Sequence, residues 1–281
     1  MDYRILNQST FDAAASAIKK AGYAGYFVHS DMLRGLQIKV SPFSAEALIS
    51  AHVDALQRLI GFVPLWMPTF ALDFPKSKIF DLENTPSEMG HISEYFRKNI
   101  AQWRSPIPMH SCCGTGNMPS IANEQPLDPW STQGIFGQLA QLNFGILFYG
   151  AGIEAVSLIH FLEKQCMVPY RYEKIFEGQY VAEGKNPKQV QVSHIVRPAA
   201  YDVEYDWQKI MRDLDEQRLV QHLGDTRTRL LLLDTKETID FWTQQLENDP
   251  FYLVDENTKE WALPLFHKLG RPFNISDFEK S

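Results

Sequence analysis

The sequence predicts an α/β fold in which a central mixed sheet is flanked by helices on both faces. Two observations lead there. Helix and strand alternate twice in the N-terminal quarter, and the strands GYFVHS and FVPLWMPTF are apolar throughout, as expected of strands covered on both sides. A third apolar strand, FGILFYGAG, runs through a turn into a helix and repeats the pattern.

Ser9 to Ala21 reads as the first helix, with Ser9 or Thr10 at the N-cap and apolar residues at helical spacing. GYFVHS follows as a short buried strand. In SPFSAEALISAHVDALQRLIG, Ser44 caps a second helix whose Leu48, Val53, Leu56 and Leu59 share one side. The strand FVPLWMPTF ends in an irregular, proline-bearing stretch between Ala71 and Asn84. PSEMGHISEYFRKN predicts a helix started near Thr85 with Pro86 at its first position. IPMHSCCGTGN predicts a strand running into a glycine turn. Beyond Pro169, YRYEKIFEGQY and KQVQVSHIVR read as strands separated by the turn signal GKNP. DWQKIMRDLDEQRLVQHLG is amphipathic and helical, TRLLLLD is one more strand, and TKETIDFWTQQLEND one more helix. The tail after Leu265 reads as loosely packed, which sets a single domain over 1–265 and an extension over 266–281.

A chain of 281 residues, 44% of them hydrophobic, buries a full core without disulfides. Its 27 Lys and Arg against 34 Asp and Glu leave a net charge of −7, which disfavours nucleic acid as a partner because phosphate binding needs a basic surface. Cys112, Cys113 and Cys166 match no zinc spacing, and their small, odd number fits a reducing compartment. With no apolar run of signal-peptide or membrane-spanning type, a cytoplasmic protein without a membrane partner is expected. The sequence leaves a homodimer open.

Chemistry concentrates in AVSLIHFLEKQC, where His160 and Glu163 are the polar residues of an apolar helix. The i to i+3 spacing sets their side chains side by side. A carboxylate beside an imidazole raises its proton affinity and fixes its tautomer and ring orientation, so the pair is a candidate general base with its orienter. Such pairs also occur on ordinary helices as mutually satisfied polar groups, so surrounding motifs decide between the two readings.

Eight short blocks supply that context: YFVHSDMLRGL, LWMPTF, TPSEMGHISEYFR, WRSPIPMHS, QPLDPW, ILFYGAG, SLIHFLE and LLLLDTKETIDFWTQQL. In this order and spacing the chain resembles the aminoglycoside 3-N-acetyltransferase family from residue 5 to residue 255. The resemblance implies an αβα sandwich and an acyl-transfer enzyme that uses acetyl-coenzyme A as cosubstrate and no metal. An amine of a small-molecule amino sugar attacks the thioester directly, His160 takes the role of the family's base, and Glu163 that of its orienter.

By the same resemblance, the VHSD block and the residues after it line the pantetheine and phosphate arm of coenzyme A. His29, Ser30, Asp31, Arg34, Thr69, Arg104 and Ser111 are the candidate cofactor residues, with Lys39 as a further nearby cation. Backbone amides or hydroxyls at Ser30, Asp31 and Thr69 are candidate donors to the thioester oxyanion, since they fall where strands end. The chain departs from the family in three places: Gln125 replaces a histidine, GIFGQL replaces a serine-proline-leucine step, and Asp31 replaces the second serine of the first block. These departures favour a nucleotide-linked amino sugar over an aminoglycoside antibiotic as acceptor.

Other readings compete. A catalytically silent acyl-coenzyme A binder predicts affinity without thiol release, and a metal-assisted amide hydrolase predicts loss of activity on chelation. Cys112 and Cys113 lack a local histidine to activate a thiol nucleophile, and the histidines at 29, 91, 110 and 160 match no ligand spacing. Trp103, Trp130 and Trp207 suit sugar stacking or core packing, and Glu88, Glu94, Asp128 and Asp202 suit attraction of a cationic amine or plain solvation.

Overall fold

Side chains along the middle strands point alternately to two separate cores, and this fixes the architecture. The computed structural model describes residues 2–279. The chain opens with β1 (Asp2–Ile5), α1 (Gln8–Ala21), β2 (Gly25–Ser30), β3 (Ile38–Ser41), α2 (Ala45–Ile60) and β4 (Leu65–Pro68). Next come α3 (Phe74–Ser77), β5 (Ile79–Asp81), α4 (His91–Asn99), β6 (Trp103–Arg104), β7 (Cys112–Gly114), α5 (Ile135–Leu139), β8 (Phe144–Tyr149) and α6 (Leu158–Gln165). The C-terminal part holds β9 (Tyr172–Val181), β10 (Lys188–Val196), α7 (Trp207–Glu216), β11 (Val220–His222), β12 (Leu230–Leu233), α8 (Thr235–Asn248) and α9 (Glu256–Leu269).

Seven strands form the main sheet in the order β11-β12-β8-β2-β4-β7-β6. Its centre, β8-β2-β4, is parallel, and antiparallel strands extend it on both sides. Phe27, Ile146, Phe148, Leu231 and Leu233 face one core with residues of α5 to α9, while Tyr26, Val28, Leu147, Tyr149, Leu230 and Leu232 face the other with residues of α1, α2 and α4. The mixed sheet covered on both faces is the predicted one. A hairpin of β9 and β10, joined by β5, forms a separate three-stranded sheet. Among the described residues no helix is long and apolar enough to cross a membrane.

Local departures from the expected elements have identifiable causes. The first helix begins at Gln8 after Asn7, whose side chain caps nothing and instead holds Thr228 and the Gln37 amide. Ser44 caps α2 as predicted, through its hydroxyl to the Ala47 amide at 3.0 Å. Helix α4 begins at His91 and not near Thr85, because Gly90 breaks the chain with φ of 93° and the Thr85 hydroxyl closes a turn on the Asp81 amide. The tail is not loose. Helix α9 runs through residue 265 to Leu269, Phe273 is buried, and the Phe278 ring stacks on Tyr172 at 5.4 Å.

Where β8 leaves the sheet, Gly150 has φ of 80° and passes so close to the end of β2 that a Cβ would sit 1.8 Å from the Asp31 carbonyl oxygen. Only glycine combines a left-handed backbone with that approach. Gly150→Ala is therefore expected to lower stability by at least about 2 kcal/mol, read as a lower urea midpoint with an unchanged slope.

Candidate active site

Helix α6 buries Leu158, Ile159, Phe161 and Leu162 and carries His160 to its edge. The Glu163 side chain has no exposure to water, whereas that of His160 keeps 29%. Their side chains meet as the spacing predicts, with His160 Nδ1 2.7 Å from Glu163 Oε2. Two residues from distant segments complete the set. Arg171 Nε lies 2.8 Å from Glu163 Oε2, at ion-pair distance but off the line of a hydrogen bond. The Tyr205 hydroxyl donates to Glu163 Oε1 at 2.8 Å and accepts from Arg171 Nη2 at 2.7 Å.

Electrostatics makes Glu163 an anion. Burial alone raises a carboxyl pKa, but the opposing charge of Arg171 and the hydrogen bond from His160 outweigh it and hold Glu163 at about 2. Arg171 is held the other way: burial disfavours its charge, and Glu163 more than restores it. An ionised carboxylate can only accept, so His160 Nδ1 carries the proton in that bond and Nε2 keeps its lone pair. Nε2 is the nitrogen left to act as a base.

Other aromatic rings pack next to His160 and behind it. Trp130 meets it edge-on at 5.3 Å, His194 lies 6.5 Å away, and His110 lies 4.5 Å from His194. Trp130 is fully buried, so core packing is its place. His110 is buried between Phe70 and Trp130, and burial pushes its pKa far down. Cys112 and Cys113 are buried free thiols whose pKa burial raises, to about 12 for Cys113, which leaves neither as a ready nucleophile.

The candidate cofactor residues fall into two groups. Ser30, Asp31 and Arg34 lie at and beyond the C-terminal end of β2, where Arg34 is exposed. The Asp31 carboxylate is turned back onto the Leu33 amide, and its own amide donates to the Tyr149 carbonyl at 2.8 Å. His29 is buried against Phe148, which lowers its pKa to about 3 and leaves Nε2 without a partner.

Thr69, Arg104 and Ser111 instead form an internal knot. Arg104 Nε donates to Ser111 Oγ at 3.1 Å, its Nη2 to the Thr69 carbonyl at 2.9 Å, and its Nη1 to the carbonyls of Leu82 and Thr85. Ser111 Oγ also donates to the Thr69 carbonyl at 2.6 Å, and the Thr69 amide to the Ser111 carbonyl. The knot fastens the loop after β5 to the end of β4.

A groove of about 620 Å³ opens beside Arg34, lined also by His222, Arg227 and Arg229. It adjoins the His160 segment: the Gly150 amide donates to the Arg229 carbonyl at 2.7 Å, and Arg229 pairs with Glu154 at 3.2 Å, just ahead of α6. The acids singled out for a cationic amine are engaged. Asp128 pairs with Lys164, Glu94 with Arg97, Asp202 with Arg197, and Glu88 accepts from the Asp73 amide.

A family model for aminoglycoside 3-N-acetyltransferase matches residues 27–247. The chain belongs to the aminoglycoside 3-N-acetyltransferase family. The apoenzyme of aminoglycoside acetyltransferase AAC(3)-IVa superposes with a TM-score of 0.63 at 19% identity, over 90% of this chain and 96% of that one. AAC-IIIb, solved as a binary complex with CoASH, gives 0.64 at 15% identity over 85% of this chain and 96% of that one. AAC-VIa bound to sisomicin gives 0.62 at 19% identity over 85% and 97%. A search of curated proteins gives no match. Membership makes the chain an N-acetyltransferase and agrees with the mixed sheet covered on both faces.

Sequence reasoning missed Arg171, Tyr205 and His194. Arg171 left one signal, a cation next to the apolar run after α6, but Tyr205 lies 42 residues from Glu163 and left none. Two outcomes follow from the buried set. Arg171→Met, which strands a buried carboxylate, is expected to cost about 3–5 kcal/mol in denaturant unfolding. Because the folded pKa of Glu163, about 2, lies below its ordinary 4.5, its contribution is complete above that ordinary value and is lost as pH falls toward 2. Acid titration of unfolding should show that loss in the wild type and a shallower one in Glu163→Gln.

Proposed function

We propose that the protein transfers an acetyl group from acetyl-coenzyme A to a primary amine of an amino sugar by direct attack, with His160 as general base and Glu163 as its orienter. The carrying observation is the His160 imidazole, partly exposed at the edge of α6 with Nδ1 bound to a fully buried carboxylate. An alkyl ammonium has no lone pair to attack with, so a base must take its proton on or before attack. The family supports this reading, as does the shared fold of AAC-IIIb with its bound CoASH.

Coenzyme A carries phosphates on a long flexible arm, and the groove of Arg34, Arg227 and Arg229 suits them because its three guanidinium groups outnumber the Asp225 carboxylate that also lines it. Ser30 and Asp31, at the end of β2, lie along the same edge of the parallel core, the usual ligand position in open sheets. We assign the phosphate arm to this groove and leave the Arg104 knot a holding role. For the acceptor, the engaged state of Asp128, Glu94, Asp202 and Glu88 favours a sugar with few ammonium groups, such as a nucleotide-linked amino sugar, over a polycation. The second reading, an aminoglycoside acceptor, is favoured by the family itself.

His160→Ala is expected to lower turnover by about 10²–10⁴-fold while coenzyme A affinity stays at the wild-type level. Unchanged turnover contradicts the assigned base. Arg227→Ala combined with Arg229→Ala should raise the KM for acetyl-coenzyme A and flatten its dependence on salt, because fewer cations meet the phosphates. Thiol release with a panel of aminoglycosides and nucleotide-linked amino sugars decides between the two acceptors, and affinity without any thiol would indicate a silent binder.

A further inference from the structure

Two imidazoles of opposite character lie 6.5 Å apart. His160 offers a lone pair at Nε2, since its Nδ1 proton is bound by Glu163. His194, on β10, is set the other way. The Trp130 indole donates to His194 Nδ1 at 3.0 Å, and an indole nitrogen can only donate. Nδ1 must therefore hold the lone pair, and the proton sits on Nε2. Adding a proton at Nδ1 would bring two donors face to face, which keeps the ring neutral. Burial, reinforced by the neighbouring His160, moves its pKa the same way, to about 3.

The lock is rigid. Trp130 is fully buried, packs against Phe136 at 4.8 Å, and has its carbonyl held by Gln165. The His194 ring remains half-buried, 6.5 Å from the His160 ring and at 85° to it, and its Nε2 makes no hydrogen bond among the described residues. Of the donors that the sequence offers for the thioester oxygen, the amides of Asp31 and Thr69 already donate to the carbonyls of Tyr149 and Ser111, which leaves the unpartnered Ser30 hydroxyl at the end of β2 and the Nε2–H of His194.

We infer that the Nε2–H of His194 is the donor that stabilises the oxyanion formed when the amine attacks the thioester. This rests on the acetyl-transfer reading above. In the step, the amine lone pair forms the new N–C bond and the carbonyl π pair moves onto oxygen, facing His194. His160 Nε2 takes the proton from nitrogen. Collapse reforms the carbonyl and breaks the C–S bond, and the thiolate leaves with its electron pair and receives the proton from His160. The products are the amide and free coenzyme A. A neutral imidazole suits the oxyanion role because it donates without changing its own charge state.

The test compares His194→Phe and His194→Gln with the wild type, using acetyl-coenzyme A and whichever panel acceptor gives thiol release. Phe keeps a ring but no donor, and kcat should fall by about 10²–10³-fold with the KM of both substrates unchanged. Gln, whose side-chain amide places an N–H near the Nε2 position, should restore at least about tenfold of that loss. A Phe variant with wild-type kcat, or one that raises only the acceptor KM, overturns the role. Histidine ¹⁵N NMR on the wild type provides a readout that needs no variant: His194 should be the Nε2–H tautomer and should not titrate between about pH 5 and 8. An Nδ1–H tautomer or a titrating ring overturns the inference. No thiol release by the wild type with any acceptor overturns the acetyl-transfer reading, and this role with it, while the tautomer result stands separately.

Discussion

The ion pair between Glu163 and Arg171 is the interaction on which the site depends. A carboxylate without access to water is costly unless it is compensated, and Arg171 at 2.8 Å supplies the opposite charge. That compensation keeps Glu163 an anion and thus an acceptor, and the acceptor dictates which nitrogen of His160 carries the proton. Tyr205 occupies the second carboxylate oxygen and ties the guanidinium to the same point. Three segments, α6, the residue just before β9 and the loop before α7, thereby converge on one side chain. The His160 ring is oriented by a network that is itself almost wholly buried.

The sheet brings this network to the right place. The parallel strands β2 and β8 end together, with Ser30 paired to Tyr149 in register, and Gly150 lets the two exits pass in contact. From that point one exit leads to Arg34 and the cationic groove, and the other leads to α6 and His160. A cosubstrate with phosphates at one end and a thioester at the other matches such a division. The β9-β10 hairpin brings the His194 ring to 6.5 Å from that of His160, and its partner Trp130 belongs to the core.

Much of this was legible in the sequence where the cause is local. The apolar strands, the Ser44 cap and the His160–Glu163 pair depend on neighbours within a few residues, and the structure has each of them. The helix expected from Thr85 failed for a local reason of the opposite kind: Gly90 takes a backbone conformation that no helix continues through. Thr69, Arg104 and Ser111 show a harder limit. A polar block in apolar surroundings reads the same whether it meets a ligand or satisfies itself, and here its donors reach carbonyls of its own chain. Arg171, Tyr205 and His194 act through tertiary contacts, which one sequence does not encode at any fixed spacing. The tail likewise reads as polar and loose, yet Phe273 and Phe278 find the core only after the chain has turned back on it.

A crystal structure with a non-reactive acetyl-coenzyme A analogue tests the central claim most directly. The acetyl carbonyl carbon is expected opposite His160 Nε2, with room for one nitrogen about 3 Å from that atom, and the phosphates against Arg34, Arg227 and Arg229. An acetyl group bound on the other face of the sheet, or separated from His160 by packed side chains, would contradict it.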